Sequence, residues 1–281
     1  MNEYVLRAKK FRTKKSLGQN FLVSKETIDE ILKNVDKDDV ILEIGPGIGF
    51  VTEKLVQKAK KVVAIELDSD AVLNLQKNLS EYKNFVLVQN DVLKVDLPSL
   101  FEEGEKIKVI ANIPYYITTP ILVLLLGEID DENHPLRRKI KEIVLMVQKE
   151  VAKRIVANNK SKNKEYGLLS VLSNFWAETS ILKTVSKRCF YPSPKVDSAL
   201  VKFKIKETPA VPLTPFLKST IKAAFSMRRK NVKNCLKSGG FVNVEEALLK
   251  CGFEPNLRGE NLSIEDFYKL SLELKRNENE D

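Results

Sequence analysis

Val40-Ile41-Leu42-Glu43-Ile44-Gly45-Pro46-Gly47-Ile48-Gly49 decides how the rest of the chain is read. The apolar run broken by Glu43 reads as a buried strand, and the glycines after it permit a tight turn with close backbone approach to a ligand. A helix follows through about Lys58. Outward from this unit the pattern recurs. Lys61 to Ile65 is a second strand ending at Glu66-Leu67-Asp68, and the next helix carries Val72, Leu75 and Leu79 on its inner face. Phe85 to Val88 is a third strand, closing on Gln89-Asn90-Asp91. Ile107 to Ala111 is a fourth, leading into Asn112-Ile113-Pro114-Tyr115, after which Thr119 caps and Pro120 starts an apolar helix.

Ile140 to Val147 adds a fifth strand, and Thr179 to Val185 and Val196 to Ile205 read as two more around Cys189 to Pro194. Such alternation predicts a Rossmann-like α/β fold with a mostly parallel seven-stranded sheet and helices on both faces. Thr208-Pro209-Ala210-Val211-Pro212 looks like a linker. Beyond it the pattern is helical, with Leu217, Ile221, Ala224 and Phe225 on one face and Ser263 with Asp266 as a capping box. The expected division is therefore 1–208 for the sheet domain with a basic arm, and 209–281 for a small all-α domain. Ahead of the sheet, Ser24 should cap a helix that buries Ile28, Ile31, Leu32 and Val35.

Composition narrows the chemistry. With 281 residues, 43% hydrophobic and 30% charged, the chain has the profile of a folded globular protein. A net charge of +9 suits a polyanionic partner, either nucleic acid or an acidic surface. The three cysteines, Cys189, Cys235 and Cys251, are scattered and argue against disulfides or a zinc site. The one histidine, His134, lies in a polar stretch and reads as a solvated loop residue, so a His-dependent triad or multi-histidine metal centre is not expected. No signal-like apolar segment opens the chain, and Ile121 to Leu126 is too short to span a bilayer; a cytoplasmic protein is expected.

In an open parallel sheet, ligands bind beyond the C-terminal strand ends. The turn Gly45 to Gly49, Glu66, Asp91 and Asn112 all fall at successive strand ends. Taken singly, each has a plain structural role: packing for the glycines, a helix start for Glu66, turns for Asp91 and Asn112. Together they read as one pocket. Glu66, about 20 residues past the turn, is placed to accept hydrogen bonds from ribose hydroxyls, and Asp91 from an adenine amine. Pro46 inside the turn and Glu43 before it suit a small cationic cofactor better than a pyrophosphate. S-adenosylmethionine has adenine, ribose and a sulfonium, and needs no metal. Asn112, with the carbonyl of Ile113 or Pro114, can accept bonds from an exocyclic amine, while Tyr115 stacks on the ring. Phe190 is the second candidate stacking ring, with core packing as its alternative.

The chain closely resembles the small-subunit ribosomal RNA adenine dimethyltransferases over nearly its whole length. The resemblance is carried by Lys15-Ser16-Leu17-Gly18-Gln19-Asn20-Phe21-Leu22, Glu43 to Gly49, Glu66-Leu67-Asp68, and Asn112 to Tyr115. Phe190 to Ser198 and Ala224-Phe225-Ser226-Met227-Arg228-Arg229-Lys230 add to it. It implies S-adenosylmethionine as cofactor, with Asn20, Leu22, Gly45, Gly47, Glu66, Asp91 and Asn112 around it. It also implies dimethylation of two adjacent adenosines in the 3'-terminal hairpin loop of 16S rRNA and a role in subunit biogenesis; nothing in the sequence demands a dimer, and a monomer is expected. Asn90 departs from a usual glycine and Ile113 from a common leucine. Lys14, Lys15, Lys222, Arg228, Arg229 and Lys230 could form an RNA-facing surface, or simply a solvated face. A large-subunit rRNA adenine methyltransferase and a non-catalytic nucleic-acid-binding factor on the same fold stay open as alternatives.

Overall fold

The structure is a computed structural model that describes residues 3–161, 165–227 and 229–276. Its backbone follows the sequence pattern closely. The elements in order are α1 (Glu3–Lys9), β1 (Phe21–Leu22), α2 (Lys25–Leu32), β2 (Val40–Ile44), α3 (Thr52–Lys58), β3 (Lys61–Glu66) and α4 (Ser69–Leu79). Next come β4 (Phe85–Gln89), β5 (Ile107–Asn112), α5 (Thr118–Leu126), α6 (Pro135–Lys139), β6 (Ile140–Gln148), α7 (Lys149–Val156) and α8 (Leu168–Trp176). The remainder are β7 (Ala177–Val185), β8 (Phe190–Tyr191), β9 (Ser198–Ile205), α9 (Leu217–Ala224), α10 (Val232–Ser238), α11 (Val244–Lys250) and α12 (Ile264–Glu273).

Seven strands form one sheet in the order β4-β3-β2-β5-β6-β9-β7. β2 pairs parallel with β3 and β5, β3 with β4, and β5 with β6, while β9 runs antiparallel to β6. The chain winds from β2 outward to β4 and then returns to β5 on the other side. That reversal opens a crevice between β2 and β5, where ligands of such sheets bind. Register makes the crevice rim level: Ile44 lies opposite Ile65 and Ala111, and Glu66 opposite Gln89. Gly45, Glu66, Asn90 and Asn112 therefore leave the sheet side by side.

Local chemistry accounts for most element ends. The Ser24 hydroxyl caps α2 by accepting from the Thr27 N–H, and Asp68 caps α4 through the Asp70 N–H. Ser263 and Asp266 form the expected capping box of α12. Two boundaries differ from expectation: α5 already includes Thr118, so Thr119 is inside the helix, and Val35 lies beyond the end of α2 although it is buried.

Residues cluster into two compact units. The first takes 1–125, 135–152 and 179–205; the second takes 126–134, 153–178 and 206–281. The second unit begins its last segment close to the 208/209 junction read from the sequence, but it also recruits two earlier segments. Its C-terminal part is helical, from α9 to α12. No helix among the described residues is long and apolar enough to cross a membrane.

The basic arm packs within the first unit. α1 buries Ala8, Arg7 donates to Glu53 with Nη1–Oε2 at 2.9 Å, and its guanidinium lies 4.9 Å over the Phe50 ring. His134 is half-buried beside Asp131, 4.0 Å away, rather than fully solvated.

Candidate active site

A cavity opens at the C-terminal ends of β2, β3, β4 and β5, entirely within the first unit. Its wall includes Asn20, Leu22, Gly45, Gly47, Glu66, Asp91, Asn112, Pro114 and Tyr115. The sequence reading named all of these, from segments spread over ninety-odd positions of the chain.

The glycine turn is shaped by positive φ angles. Gly45 has φ 69° and Gly47 φ 58°, a left-handed conformation that side chains with a Cβ adopt at a cost. A Cβ on Gly47 would lie 2.9 Å from the Phe21 ring. The phenyl group of β1 therefore packs directly on the turn and joins the arm to it. Glu66 braces the turn from below: Oε2 accepts from the Gly47 N–H at 2.9 Å, and Oε1 from Leu67 and Asp68 at 2.8 and 2.9 Å. Burial raises the Glu66 pKa, and these three N–H bonds offset part of that.

The Asn112 loop is held from two sides. Asn112 Nδ2 donates to the Asn20 carbonyl at 3.4 Å, which orients the amide so that Oδ1 is the acceptor left for another group. Gly18, with φ 60°, lies against the loop. A Cβ there would come within 3.2 Å of Pro114 Cβ and 3.3 Å of Tyr116 Cε1. Tyr115 shares a 2.6 Å hydrogen bond with Ser198 Oγ, and burial raises its phenol pKa despite that bond. The Pro114 carbonyl accepts from the Ile117 N–H at 3.2 Å, so the Ile113 carbonyl is the freer acceptor beside Asn112.

Not every expected residue joins this group. Phe190 is 3% exposed, belongs to the hydrophobic core and pairs with Leu22 across β1 and β8. It does not line the cavity. Core packing, its alternative reading, describes its position here. Lys14 is not free for phosphate: its ammonium pairs with Asp68 and, at 2.7 Å, with Asp70, and those hydrogen bonds raise its pKa. Lys222 pairs with Glu128 at 3.3 Å. Lys15, Arg229 and Lys230 are exposed, and Arg228 lies outside the described residues.

Some residues were missed. Gly18, Gln19 and Tyr116 line the cavity. Gln19 also donates to Asp68 at 2.6 Å, fixing the arm beside the start of α4. Ser198 fixes Tyr115. A second cavity, within the second unit, sets Arg154, Arg258 and Lys230 around Tyr166 and Phe225. Of this set the sequence reading named Lys230 as a contact and Phe225 as packing. Nothing local in the sequence groups Arg154 with Arg258, which are a hundred residues apart.

Comparison with known proteins fits this geometry. The model of the family described as ribosomal RNA adenine dimethylase matches residues 10–276. The chain belongs to the ribosomal RNA adenine dimethylase family. A family relative from Clostridium botulinum (strain Loch Maree / Type A3), "Ribosomal RNA small subunit methyltransferase A", is 43% identical over 267 residues, covering 93% of this chain and 94% of the relative. Among solved structures, a dimethyladenosine transferase from Plasmodium falciparum matches with TM-score 0.68 and 28% identity, over 89% of this chain and 95% of that one. The 23S rRNA methyltransferase ErmE matches with TM-score 0.67 and 25% identity, over 90% of this chain and 99% of that one.

As a dimethylase of this family the protein is an S-adenosylmethionine-dependent enzyme. The cavity fits that cofactor on its own chemistry. Among the described residues, the carboxyls lining it are those of Glu43, Glu66 and Asp91, with no lysine or arginine, which favours a cationic ligand over a phosphorylated one.

Proposed function

We propose that this enzyme dimethylates the exocyclic N6 amine of two adjacent adenosines in the 3'-terminal hairpin loop of small-subunit rRNA, as a step in small-subunit biogenesis. The observation that carries the reading is the Asn112 amide, tied through Nδ2 to the Asn20 carbonyl and lining the same cavity as the glycine turn. The small-subunit relative named above, matched over nearly the full length of both chains, supports the choice of RNA.

S-adenosylmethionine supplies a methyl already activated on a sulfonium. The chain's own residues then have to bind, orient and exclude. Gly45 and Gly47 give the backbone approach for the methionine portion, Glu66 meets the ribose hydroxyls, Asp91 meets the adenine, and Asn20 and Leu22 line the arm side. An adenine amine is a poor nucleophile because its lone pair is delocalised into the ring. Asn112 Oδ1 and the Ile113 carbonyl accept its two N–H bonds, which favours a more tetrahedral nitrogen with its lone pair free. Pro114 sets the loop angle, and Tyr115, fixed by Ser198, presents its ring for stacking worth on the order of 1–3 kcal/mol. With the donor bound, which would supply the methyl, Asn112 Oδ1 and the Ile113 carbonyl would hold the amine nitrogen toward it while the amine proton is lost to solvent. Phe190 would take part only by leaving its buried position.

Exposed Lys15, Arg229 and Lys230 supply candidate phosphate contacts. A large-subunit target is the second reading, favoured by the likeness to the 23S enzyme. Labelled-methyl transfer to isolated small and large subunits separates the two: incorporation into the small-subunit RNA supports the proposal, and incorporation confined to the large subunit overturns it. The same reading has the protein working as a cytoplasmic monomer.

A further inference from the structure

Tyr116 is 66% exposed, the only aromatic residue among the described ones to lie so open, and it stands on the wall of the cavity. It directly follows Tyr115 in the short turn Tyr115–Ile117, which the Ile117 N–H closes on the Pro114 carbonyl at 3.2 Å. The Thr118 hydroxyl fastens the same turn by donating to the Tyr115 carbonyl at 3.0 Å. The ring also meets the arm: a Cβ on Gly18 would come within 3.3 Å of Tyr116 Cε1 and 3.7 Å of Cδ1. A single exposed apolar residue needs no explanation of its own. This one is aromatic, held between two segments, and one residue from the ring proposed to stack on the target base. Half-buried Leu17 and Ile117 line the same cavity. On the arm, the Lys15 carbonyl accepts from the Gly18 N–H at 3.0 Å, which sets the exposed Lys15 close to the same rim.

The proposed substrate presents two adjacent adenosines, and the single Asn112 amide can hold one of them at a time. Turning that base out of the stack leaves its neighbour with a bare face, at a cost in stacking energy. Consecutive Cα atoms are about 3.8 Å apart, so Tyr116 starts within one nucleotide step of Tyr115. We propose that Tyr116 receives the base of the adjacent adenosine and stacks on it while its partner is methylated, with Lys15 near the intervening phosphate. This deepens the proposed function and rests on its RNA target. The ring stands at one place on the cavity wall, so it serves one order of the pair: the neighbour of one adenosine reaches it, and the neighbour of the other leads away. The phenol hydroxyl takes no part.

Single-turnover methyl transfer to small subunits carrying a synthetic 3' segment of 16S rRNA, read at each adenosine by mass spectrometry, tests this. Tyr116→Ala should slow transfer about tenfold at one adenosine, within the range of one lost base–aromatic stack, and little at the other. Its S-adenosylmethionine affinity should stay within a few-fold of wild type. Tyr116→Phe keeps the ring and should restore the rate. An abasic site in place of the neighbouring adenosine should slow the wild type by the same factor and Tyr116→Ala no further, because both changes remove one contact. Equal slowing at both adenosines in Tyr116→Ala would mark a disturbed Asn112 loop and overturn the stacking role. Wild-type rates in Tyr116→Ala, or an abasic penalty that persists in it, would overturn that role too. Failure of the wild type to methylate the unmodified subunit while binding the cofactor would overturn the RNA target instead.

Discussion

Asn112 Nδ2 donates to the backbone carbonyl of Asn20 across 3.4 Å, joining the loop after β5 to an arm residue 92 positions earlier. The contact fixes which face of the amide meets the substrate. Losing a preorganised polar contact at a reacting centre costs roughly 3–4 kcal/mol in the barrier, or about 10²–10³ in rate. Asn112→Ala should therefore fall by that factor in single-turnover methyl transfer. Its S-adenosylmethionine affinity, read by titration, should stay within a few-fold of wild type. A loss confined to cofactor binding would assign Asn112 to the cofactor alone.

Tyr115 and Ser198 make a separate prediction. Their 2.6 Å bond anchors the aromatic ring, and Ser198 is fully buried. Ser198→Ala removes a hydrogen bond worth about 1 kcal/mol, which should lower Tm by about 2–4 °C for a chain of this size. Methyl transfer should slow because the ring is less fixed, with cofactor affinity unchanged. Tyr115→Phe should show the same stability loss with a smaller rate loss than Tyr115→Ala, which also removes the stacking surface.

Gly18 tests the coupling between arm and loop. Its φ of 60° disfavours a side chain by roughly 1–2 kcal/mol, and the added carbon would press on Pro114 and Tyr116. Gly18→Ala should be destabilised by about that amount in denaturant titration and should transfer methyl groups more slowly. Wild-type kinetics in a folded Gly18→Ala protein would show that the arm does not set the loop position.

Acid sensitivity should concentrate at the opposite end of the sheet. Asp39 is buried and accepts from Lys108 at 2.7 Å and from Lys141 at 2.5 Å. Burial opposes its ionisation, but the two lysines outweigh that and its pKa is lowered. A carboxylate with a depressed folded pKa stabilises above its unfolded value near 4 and loses that contribution as pH falls through the folded value. Asp39→Asn leaves Lys108 with the Asn34 carbonyl at 2.7 Å and Asp36 at 3.4 Å, and the lost charge-assisted bond should cost roughly 1.5–3 kcal/mol near neutral pH, with the gap to wild type closing in acid. A gap that stays constant from pH 7 down to pH 3 would contradict this account of Asp39.

RNA affinity should fall with salt. Arg229→Ala with Lys230→Ala should weaken rRNA binding and reduce the slope of log K against log salt by about one to two. Cofactor affinity should not change. An unaltered slope would remove these two residues from the phosphate contacts.

Much of this was readable before the structure. β2, β3, β4 and β5 announce themselves as apolar runs, each ending in a polar or glycine residue, and parallel topology brings those ends together. The readings that changed concern contacts made at long range. Lys14 looks like a free cation until Asp68, 54 positions later, is found beside it. Phe190 looks like a surface aromatic in a Pro-rich loop, yet the two-residue strand β8 pairs with β1 and turns it into the core. Strands that short carry no periodicity. Ser198 gives no sign in sequence of holding Tyr115, since hydroxyls are common and the pair is 83 residues apart. The segments 126–134 and 153–178 join the second unit by packing alone, without a composition shift to mark them.

The most direct test is mass spectrometry of 16S rRNA from unmethylated small subunits after incubation with the purified protein and S-adenosylmethionine. The account predicts two adjacent N6,N6-dimethyladenosines in the 3'-terminal hairpin loop with wild type, and at most trace modification with Asn112→Ala. Unmodified adenosines with a protein that binds the cofactor, or equal dimethylation by Asn112→Ala, would contradict it.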